Sequence, residues 1–182
     1  MPPSANRVRI IGGLYRGRVL RFPSAEALRP TPDRVRETLF NWLGQDLEGR
    51  TTLELFAGTG VLSLESLSRG ATRAVAIDRN PALVRAMLAS AQMLGAHGLD
   101  ALVAEARAWI GRDAGRYDVI FLDPPFATDP WSWLLPAAAA RLAPAGLIFV
   151  EAGSALASRP GLEIVRHDRA GHVHYHLLAR RT

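Results

Sequence analysis

A glycine-rich turn between two regular elements occupies the stretch Leu53-Glu54-Leu55-Phe56-Ala57-Gly58-Thr59-Gly60-Val61-Leu62. The residues Thr51–Phe56 predict a strand, and Val61–Ser68 predict a helix. In an open parallel sheet, ligands bind beyond the carboxyl ends of the strands, which is where this turn would lie. Glycines let the backbone pass close to a ligand, and the first turn of a helix carries free N–H groups. The stretch therefore predicts a binding loop.

An acidic residue follows the next predicted strand, Arg73–Ile77. Asp78 stands at the end of that strand, where a carboxylate can accept hydrogen bonds from ribose hydroxyls. The turn and the carboxylate together indicate a cofactor that contains a nucleoside. A complete dinucleotide fingerprint would have a third glycine at position 63, where this chain has Ser63. These residues alone leave NAD and S-adenosylmethionine as alternatives.

Strands and helices alternate along the rest of the chain. Helices are predicted at Pro81–Leu94 and Trp131–Leu142, and strands at Leu99–Ala104, Tyr117–Leu122, Leu147–Glu151, Glu163–Arg169 and Val173–Arg180. The central strands are continuously apolar, which fits a parallel sheet covered on both faces. The last two strands predict an antiparallel pair. The predicted fold class is α/β, with a Rossmann-like, seven-stranded, mostly parallel sheet and a C-terminal antiparallel strand.

The tetrapeptide Asp123-Pro124-Pro125-Phe126 directly follows a buried strand and so lies at the same ligand-binding edge. An exocyclic amine of a nucleobase is a weak nucleophile, so its attack on a sulfonium methyl requires the nitrogen to be held in line. The Asp123 carboxylate and the Pro124 carbonyl can accept its two N–H bonds. The prolines stiffen the loop, and Phe126 offers a stacking surface. We interpret these four residues as catalytic in a methyltransferase; a strand-ending turn is the alternative.

The net charge of +5 lies entirely in the first 40 residues. Eight arginines there oppose three acids, whereas fourteen arginines and fourteen acids balance in residues 41–182. Arginine binds phosphates through two parallel hydrogen bonds and stacks on bases, so this asymmetry predicts a basic arm for a polyanion and favours nucleic acid. A chance local imbalance is the alternative. The expected RNA-binding residues are Arg7, Arg9, Arg16, Arg18 and Arg34.

Two regions are predicted: a basic N-terminal extension, residues 1–45, and a methyltransferase domain, residues 46–182. In the extension, β-like runs at Val8–Ile11 and Arg18–Phe22 flank glycines and predict a small hairpin. Thr31 before Pro32 is typical of a helix start, and apolar residues recur at helical spacing up to Gly44.

Composition excludes several other classes of protein. No apolar run approaches the roughly 18 residues that a membrane span needs, and residues 1–7 lack the apolar core of a signal peptide. We therefore expect a cytoplasmic monomer with no membrane partner. The chain has no cysteine, which excludes disulfides and thiolate catalysis. His172, His174 and His176 alternate, but neighbouring strand residues rarely complete a tetrahedral site, so we expect surface or RNA-facing histidines and no metal.

The motifs together resemble the class I methyltransferases that modify exocyclic amines through an Asn/Asp-Pro-Pro-aromatic motif. More closely, the chain is similar to the bacterial RsmD family, which methylates guanine N2 in 16S ribosomal RNA. The similarity extends nearly from end to end. It is carried by Arg9–Gly13, Arg16–Arg18, Arg29–Thr31, Asp33–Leu43, Phe56–Gly60, Asp123–Phe126 and Ala170–Tyr175. The segment Arg29-Pro30-Thr31, with the residues after it, is more specific than either short loop.

The resemblance implies S-adenosylmethionine as the cofactor and guanine N2 of small-subunit rRNA as the acceptor. The substrate would be free RNA, a 30S particle or an assembly intermediate. It implies that Asp123–Phe126 hold the guanine. The implied cofactor-binding residues are Thr31, Glu54, Phe56, Ala57, Gly58, Gly60 and Asp78, with Glu105 and Ala106 beside the adenine. The alternatives are a DNA adenine or cytosine N-methyltransferase using the same tetrapeptide, an NAD-linked oxidoreductase, and a binding module without catalysis.

Overall fold

The computed structural model describes residues 6–25, 28–126 and 129–181. The N-terminal part comprises β1 (Asn6–Arg9), β2 (Val19–Phe22) and α1 (Asp33–Trp42). The remainder comprises β3 (Thr51–Leu55), α2 (Val61–Ser68), β4 (Arg73–Asp78), α3 (Pro81–Leu94), β5 (Leu99–Val103), α4 (Ala106–Arg112), β6 (Tyr117–Leu122), α5 (Trp131–Ala140), β7 (Leu142–Ala152), β8 (Leu162–Ala170) and β9 (Val173–Arg180). Among the described residues, no helix combines the length and apolarity needed to cross a bilayer.

Seven strands form the central sheet in the order β5-β4-β3-β6-β7-β9-β8. The strands from β5 to β7 pair in parallel, and β9 runs antiparallel to both of its neighbours, β7 and β8. The chain moves outward from β3 to β5 and then returns to β6 on the other side of β3, which opens a crevice between the β3 and β6 ends. The predicted α/β fold with a C-terminal antiparallel strand and an N-terminal hairpin is confirmed.

Some element boundaries differ from the prediction. The helix α4 was not predicted, because only Ala106 and Ile110 are buried in this short helix and they leave little periodicity. The hairpin strand β1 ends at Arg9, whereas the prediction extended to Ile11. Strand β7 begins at Leu142, which the prediction placed at the end of a helix.

Hydrophobic clusters cover the two faces of the sheet. On one face, Phe121 and Phe149 lie in a cluster with residues of α1, α2, α3 and the hairpin. On the other face, Ile120 and Ile148 lie in a cluster with residues of α4 and α5. Each buried large side chain of this kind contributes roughly 1.5–3 kcal/mol. The hairpin and α1 share a core with the sheet, and the domain boundary near residue 45 stays a prediction.

A buried carboxylate on α2 connects this helix to the N-terminal part. Oε1 of Glu65 accepts hydrogen bonds from the Gly12 N–H at 2.7 Å and from the Arg69 guanidinium at 3.1 Å. Oε2 accepts from the Ile11 N–H at 3.0 Å and from Arg36 Nη1 at 3.2 Å. Burial lowers the pKa of Arg36, and the Glu65 carboxylate opposes that shift. We call Glu65, Arg36, Arg69 and the two N–H groups the Glu65 cluster; it connects the hairpin and α1 to α2.

Candidate active site

The strand register brings the carboxyl ends of β3, β6 and β7 to one edge of the sheet. Leu55 of β3 pairs with Leu122 of β6, and Leu122 pairs with Val150 of β7. The next residues along these strands are the glycine turn, Asp123 and Glu151. Neighbouring strands lie about 4.8 Å apart, so the glycine turn and the Asp-Pro-Pro-Phe segment open into the same crevice.

The glycine turn has a left-handed backbone at three positions. Phe56, Gly58 and Gly60 have φ angles of 59°, 55° and 70°. At Gly60 a side chain is also excluded by space, because an added Cβ would lie 2.6 Å from Met87 of α3. The turn is therefore packed closely against α3, and its C-terminal end leads directly into α2.

Asp78 supports the turn from the neighbouring strand. Its Oδ2 accepts a hydrogen bond from the Gly58 N–H at 2.8 Å, and its Oδ1 accepts from the Asn80 N–H at 2.8 Å. The carbonyl of the same residue accepts from the Ala104 N–H at 3.0 Å, which brings the loop after β5 alongside. That loop carries Glu105, which is exposed, and the buried Ala106 at the start of α4. The predicted cofactor residues at the ends of β3, β4 and β5 thus line one continuous edge.

Glu54 lies beneath the turn and is buried. Its Oε2 accepts hydrogen bonds from the N–H of Ser63 at 2.9 Å and from the Ser63 hydroxyl. Ser63 stands where the dinucleotide fingerprint would have a glycine, and here it serves as a donor to this carboxylate. Burial raises the pKa of Glu54 to about 7, against the opposing effect of the Ser63 hydrogen bonds.

Glu54→Gln is expected to reduce the pH dependence of stability. The folded-state pKa lies at about 7 against an ordinary value of 4.5, so the native protein keeps a proton that the unfolded chain releases between these values. The free energy of unfolding therefore falls as the pH rises through this range, by on the order of 2–3 kcal/mol for this group. Urea unfolding at about pH 5 and about pH 8 should show a smaller decline in Glu54→Gln than in the wild type. Equal declines would contradict the raised pKa, and the exposed Glu163→Gln serves as the control.

The segment Asp123–Phe126 turns away from the end of β6. Asp123 is partly exposed, Pro124 is buried, and Phe126 is half exposed with its ring beside Gly153. Burial, the Glu151 carboxylate and the Glu54 carboxylate raise the pKa of Asp123 well above its usual range, in that order of importance. An acceptor carboxylate and an accessible aromatic ring are therefore adjacent, as the predicted role in holding a base requires.

Glu151, at the end of β7, is a site residue that sequence reasoning missed. It is 4% exposed, and burial raises its pKa to about 7. Oε1 accepts a hydrogen bond of 2.7 Å from the hydroxyl of Thr31. Its position in the sequence, directly after the apolar run of a buried strand, could have indicated its role. Asp78 and Asp123 were predicted as site residues from the same kind of position.

Thr31 was predicted to start α1, and this assignment was wrong. The residue that caps the helix is Pro32, and Thr31 is buried one position earlier with its hydroxyl on Glu151. The buried Glu151 carboxylate requires a hydrogen-bond donor, and the Thr31 hydroxyl serves as that donor instead of capping the helix. Thr31 nevertheless lies at the candidate site, as the resemblance implied.

The predicted RNA-binding arginines all lie on the surface. The exposed residues are Arg7, Arg9, Arg16, Arg18 and Arg34. Arg9 forms an exposed ion pair with Asp33 at 2.9 Å. A surface cavity of about 310 Å³ lies between the basic hairpin and the segment before α1, with Arg7, Arg9 and Thr31 in its lining.

The histidine prediction holds only in part. His167 and His174 stack on β8 and β9, and their Nε2 and Nδ1 atoms are 3.0 Å apart. His176 is buried rather than at the surface, and its Nε2 accepts from the Leu156 N–H at 3.1 Å. The strand β9 lies inside the sheet, so its central residues are covered. Within residues 6–25, 28–126 and 129–181, no group of three or more His, Cys, Asp or Glu side chains has the arrangement of a metal site.

The topology is that of the class I methyltransferase fold. Its features are the strand order, the reversal between β3 and β6, and the position of β9 between β7 and β8. One solved structure of this fold, described as "a putative methyltransferase complexed with SAH", superimposes with a TM-score of 0.76. It is 15% identical in sequence and covers 98% of this chain and 56% of that chain.

The chain belongs to the family described as Conserved hypothetical protein 95, whose model matches residues 8–179. It is 39% identical over 122 residues to Ribosomal RNA small subunit methyltransferase D of Escherichia coli (strain K12). That match covers 67% of this chain but only 62% of the relative. The solved structure of yhhF from Escherichia coli superimposes with a TM-score of 0.87 at 34% identity, covering 96% and 98% of the two chains. The resemblance to the RsmD family is confirmed.

Proposed function

We propose that this protein transfers a methyl group from S-adenosylmethionine to the exocyclic N2 amine of a guanine in small-subunit ribosomal RNA. One observation carries the proposal: the register Leu55 to Leu122 opens the glycine turn and the Asp-Pro-Pro-Phe segment into one crevice. The name of the Escherichia coli relative, which specifies a ribosomal RNA small subunit methyltransferase, supports the class of substrate.

The charge of the crevice favours a cationic donor over a dinucleotide. Glu54, Asp123 and Glu151 lie at neighbouring strand ends, and desolvation is the largest cause of the raised pKa of each. A sulfonium would stabilise the ionised carboxylates, whereas the pyrophosphate of NAD would add negative charge. The residues fit S-adenosylmethionine: Asp78 would hold the ribose, the turn from Phe56 to Gly60 would cover the donor, and Glu105 and Ala106 would border the adenine.

The Asp-Pro-Pro-Phe residues perform the chemistry on the acceptor. S-adenosylmethionine, when bound, supplies an electrophilic methyl on a sulfonium sulfur. Asp123 and the Pro124 carbonyl accept the two N–H bonds of the guanine amine and aim its lone pair at that methyl. Phe126 stacks on the base, which would have to leave its own stack to enter the crevice. Asp123 then takes the proton that the alkylated amine releases, and its raised pKa makes it a better proton acceptor.

The test is direct. Wild-type protein with labelled S-adenosylmethionine should methylate ribosomal RNA from cells that lack the gene, and mass mapping should locate the label on N2 of one guanine. Separate DNA and RNA pools distinguish the alternative, a DNA adenine or cytosine N-methyltransferase. Label in DNA alone, or on another atom of the base, would contradict the proposal. Supplying free RNA and 30S particles in parallel identifies the form of the substrate.

Reversing the charges of Arg7, Arg9, Arg16 and Arg18 is expected to weaken RNA binding about tenfold or more and to flatten its salt dependence. Each lost phosphate contact removes roughly 0.7–0.9 from the slope of log K against log salt, so a decrease of about 1–3 is expected. Filter binding or fluorescence anisotropy over a salt series measures both quantities.

The control reverses Arg85, Arg112 and Arg166, which are exposed and lie outside the N-terminal extension. This variant should keep the wild-type slope within error. If both variants change the slope equally, or neither does, the N-terminal extension is not the RNA-binding surface.

A further inference from the structure

In the proposed methyl transfer the Glu151 carboxylate acts only through its charge, and no hydrogen bond to a ligand is assigned to it. Glu151 follows Val150, and Asp123 follows Leu122, its register partner, so the two side chains project from the same face of adjacent strands. The order of strands at the edge is β3, β6, β7. The donor would lie over β3 and the amine at Asp123, which leaves Glu151 beyond the amine, on the side away from the donor.

The hydrogen bond with Thr31 orients this carboxylate. Thr31 and Glu151 are 7% and 4% exposed, and the hydroxyl donates to Oε1 over 2.7 Å. With Oε1 held, Oε2 is the carboxylate oxygen that can face a ligand in the crevice. Burial raises the pKa of Glu151 to about 7, and the hydrogen bond from the Thr31 hydroxyl opposes that shift by favouring the charged, acceptor-only form of the carboxylate.

The chemistry of guanine matches this geometry. Next to its N2 amine, guanine carries N1–H, a donor on the same edge of the ring, whereas N1 of adenine and of 2-aminopurine is an acceptor. An ionised carboxylate can accept from a donor but repels a lone pair. Enzymes that act on an extracted base read it through this edge.

We propose that Glu151 is the residue that selects guanine, by accepting a hydrogen bond from N1–H while Asp123 and Pro124 hold the N2 amine. This inference rests on the proposed function and adds to it the source of base specificity. Thr31 is then a positioning residue, because it acts on the base only through Glu151.

Glu151→Gln tests the inference. Glutamine has the same shape, and its oxygen can still accept from Thr31, but its amide then presents a donor to the base. The substrates are two synthetic RNAs spanning the mapped target, one with guanine and one with 2-aminopurine at that position, assembled into particles if the wild type requires them. The wild type should strongly prefer guanine. In Glu151→Gln the ratio of kcat/KM for guanine to that for 2-aminopurine should fall by about tenfold to a hundredfold, the range for a hydrogen bond to a charged group.

The outcomes separate the two claims. If the wild type methylates no guanine in RNA, the proposed function fails. If it does, but Glu151→Gln lowers kcat/KM for both bases equally and leaves the ratio unchanged, Glu151 only supports the fold and this inference is overturned. Binding of S-adenosylhomocysteine confirms that the variant is folded. The matched control is Glu163→Gln, an exposed position on β8 whose ratio should equal that of the wild type.

Discussion

Asp123→Ala is expected to lower kcat/KM for RNA methylation by about 10²–10³-fold or more, while the affinity for S-adenosylmethionine falls much less, because Glu54 and Glu151 still supply negative charge to the sulfonium. The loss follows from removing one preorganised acceptor at the point where charge develops on the amine. Asp123 lies at the end of β6, whereas most of the proposed cofactor-binding residues lie at the ends of β3, β4 and β5, so we expect the donor site to stay intact. Single-turnover methylation and equilibrium binding of the cofactor measure the two effects separately.

Two further variants sharpen this result. Asp123→Asn keeps one acceptor oxygen, so it should retain more activity than Asp123→Ala. Because the pKa of Asp123 is raised, wild-type activity should increase with pH as the carboxylate ionises, and this increase should be reduced in Asp123→Asn. Asp100→Ala, which removes an exposed partner of Arg73, is the control and should be fully active. Full activity of Asp123→Ala would remove this residue from the chemistry.

Glu65→Leu is expected to lower the free energy of unfolding by about 3–5 kcal/mol, the range found when one partner of a buried ion pair is removed. The substitution leaves the buried Arg36 guanidinium without its partner on α2. It also removes the hydrogen-bond acceptor of the N–H groups of Ile11 and Gly12. The hairpin would then keep its hydrogen bonds to Ser68 at the end of α2 but would lose those to Glu65. Urea or guanidinium unfolding, followed by circular dichroism, gives the value directly.

A double-mutant cycle with Arg36→Met identifies the cause. If the unpaired cation dominates the loss, Glu65→Leu with Arg36→Met should be less destabilised than the sum of the single variants. Glu163→Leu, at an exposed position, should change stability by less than about 0.5 kcal/mol. A loss below about 1 kcal/mol in Glu65→Leu would show that the Glu65 cluster does not hold the N-terminal part in place.

Local sequence determined most of the fold and two parts of the candidate site. The turn from Phe56 to Gly60 and the segment Asp123–Phe126 were recognisable because each depends on residue types that the backbone requires at that point: glycine at left-handed positions and proline in a stiff loop. The buried strands were evident from continuous apolar runs, and α3 was predicted from Pro81 to Leu94 with Gly95 closing it, as the structure has it. Such signals act over a few residues.

Tertiary structure decided what depends on contacts between distant residues. The hydrogen bond between Thr31 and Glu151 spans 120 positions of the chain, and it changed the role of Thr31 from helix start to donor in the crevice. The position of β9 between β7 and β8 buried His176, which the alternating pattern had suggested was exposed. A carboxylate that ends a strand has the same sequence pattern whether or not a donor meets it. Its role depends on register and packing across the sheet, and only the assembled fold sets these.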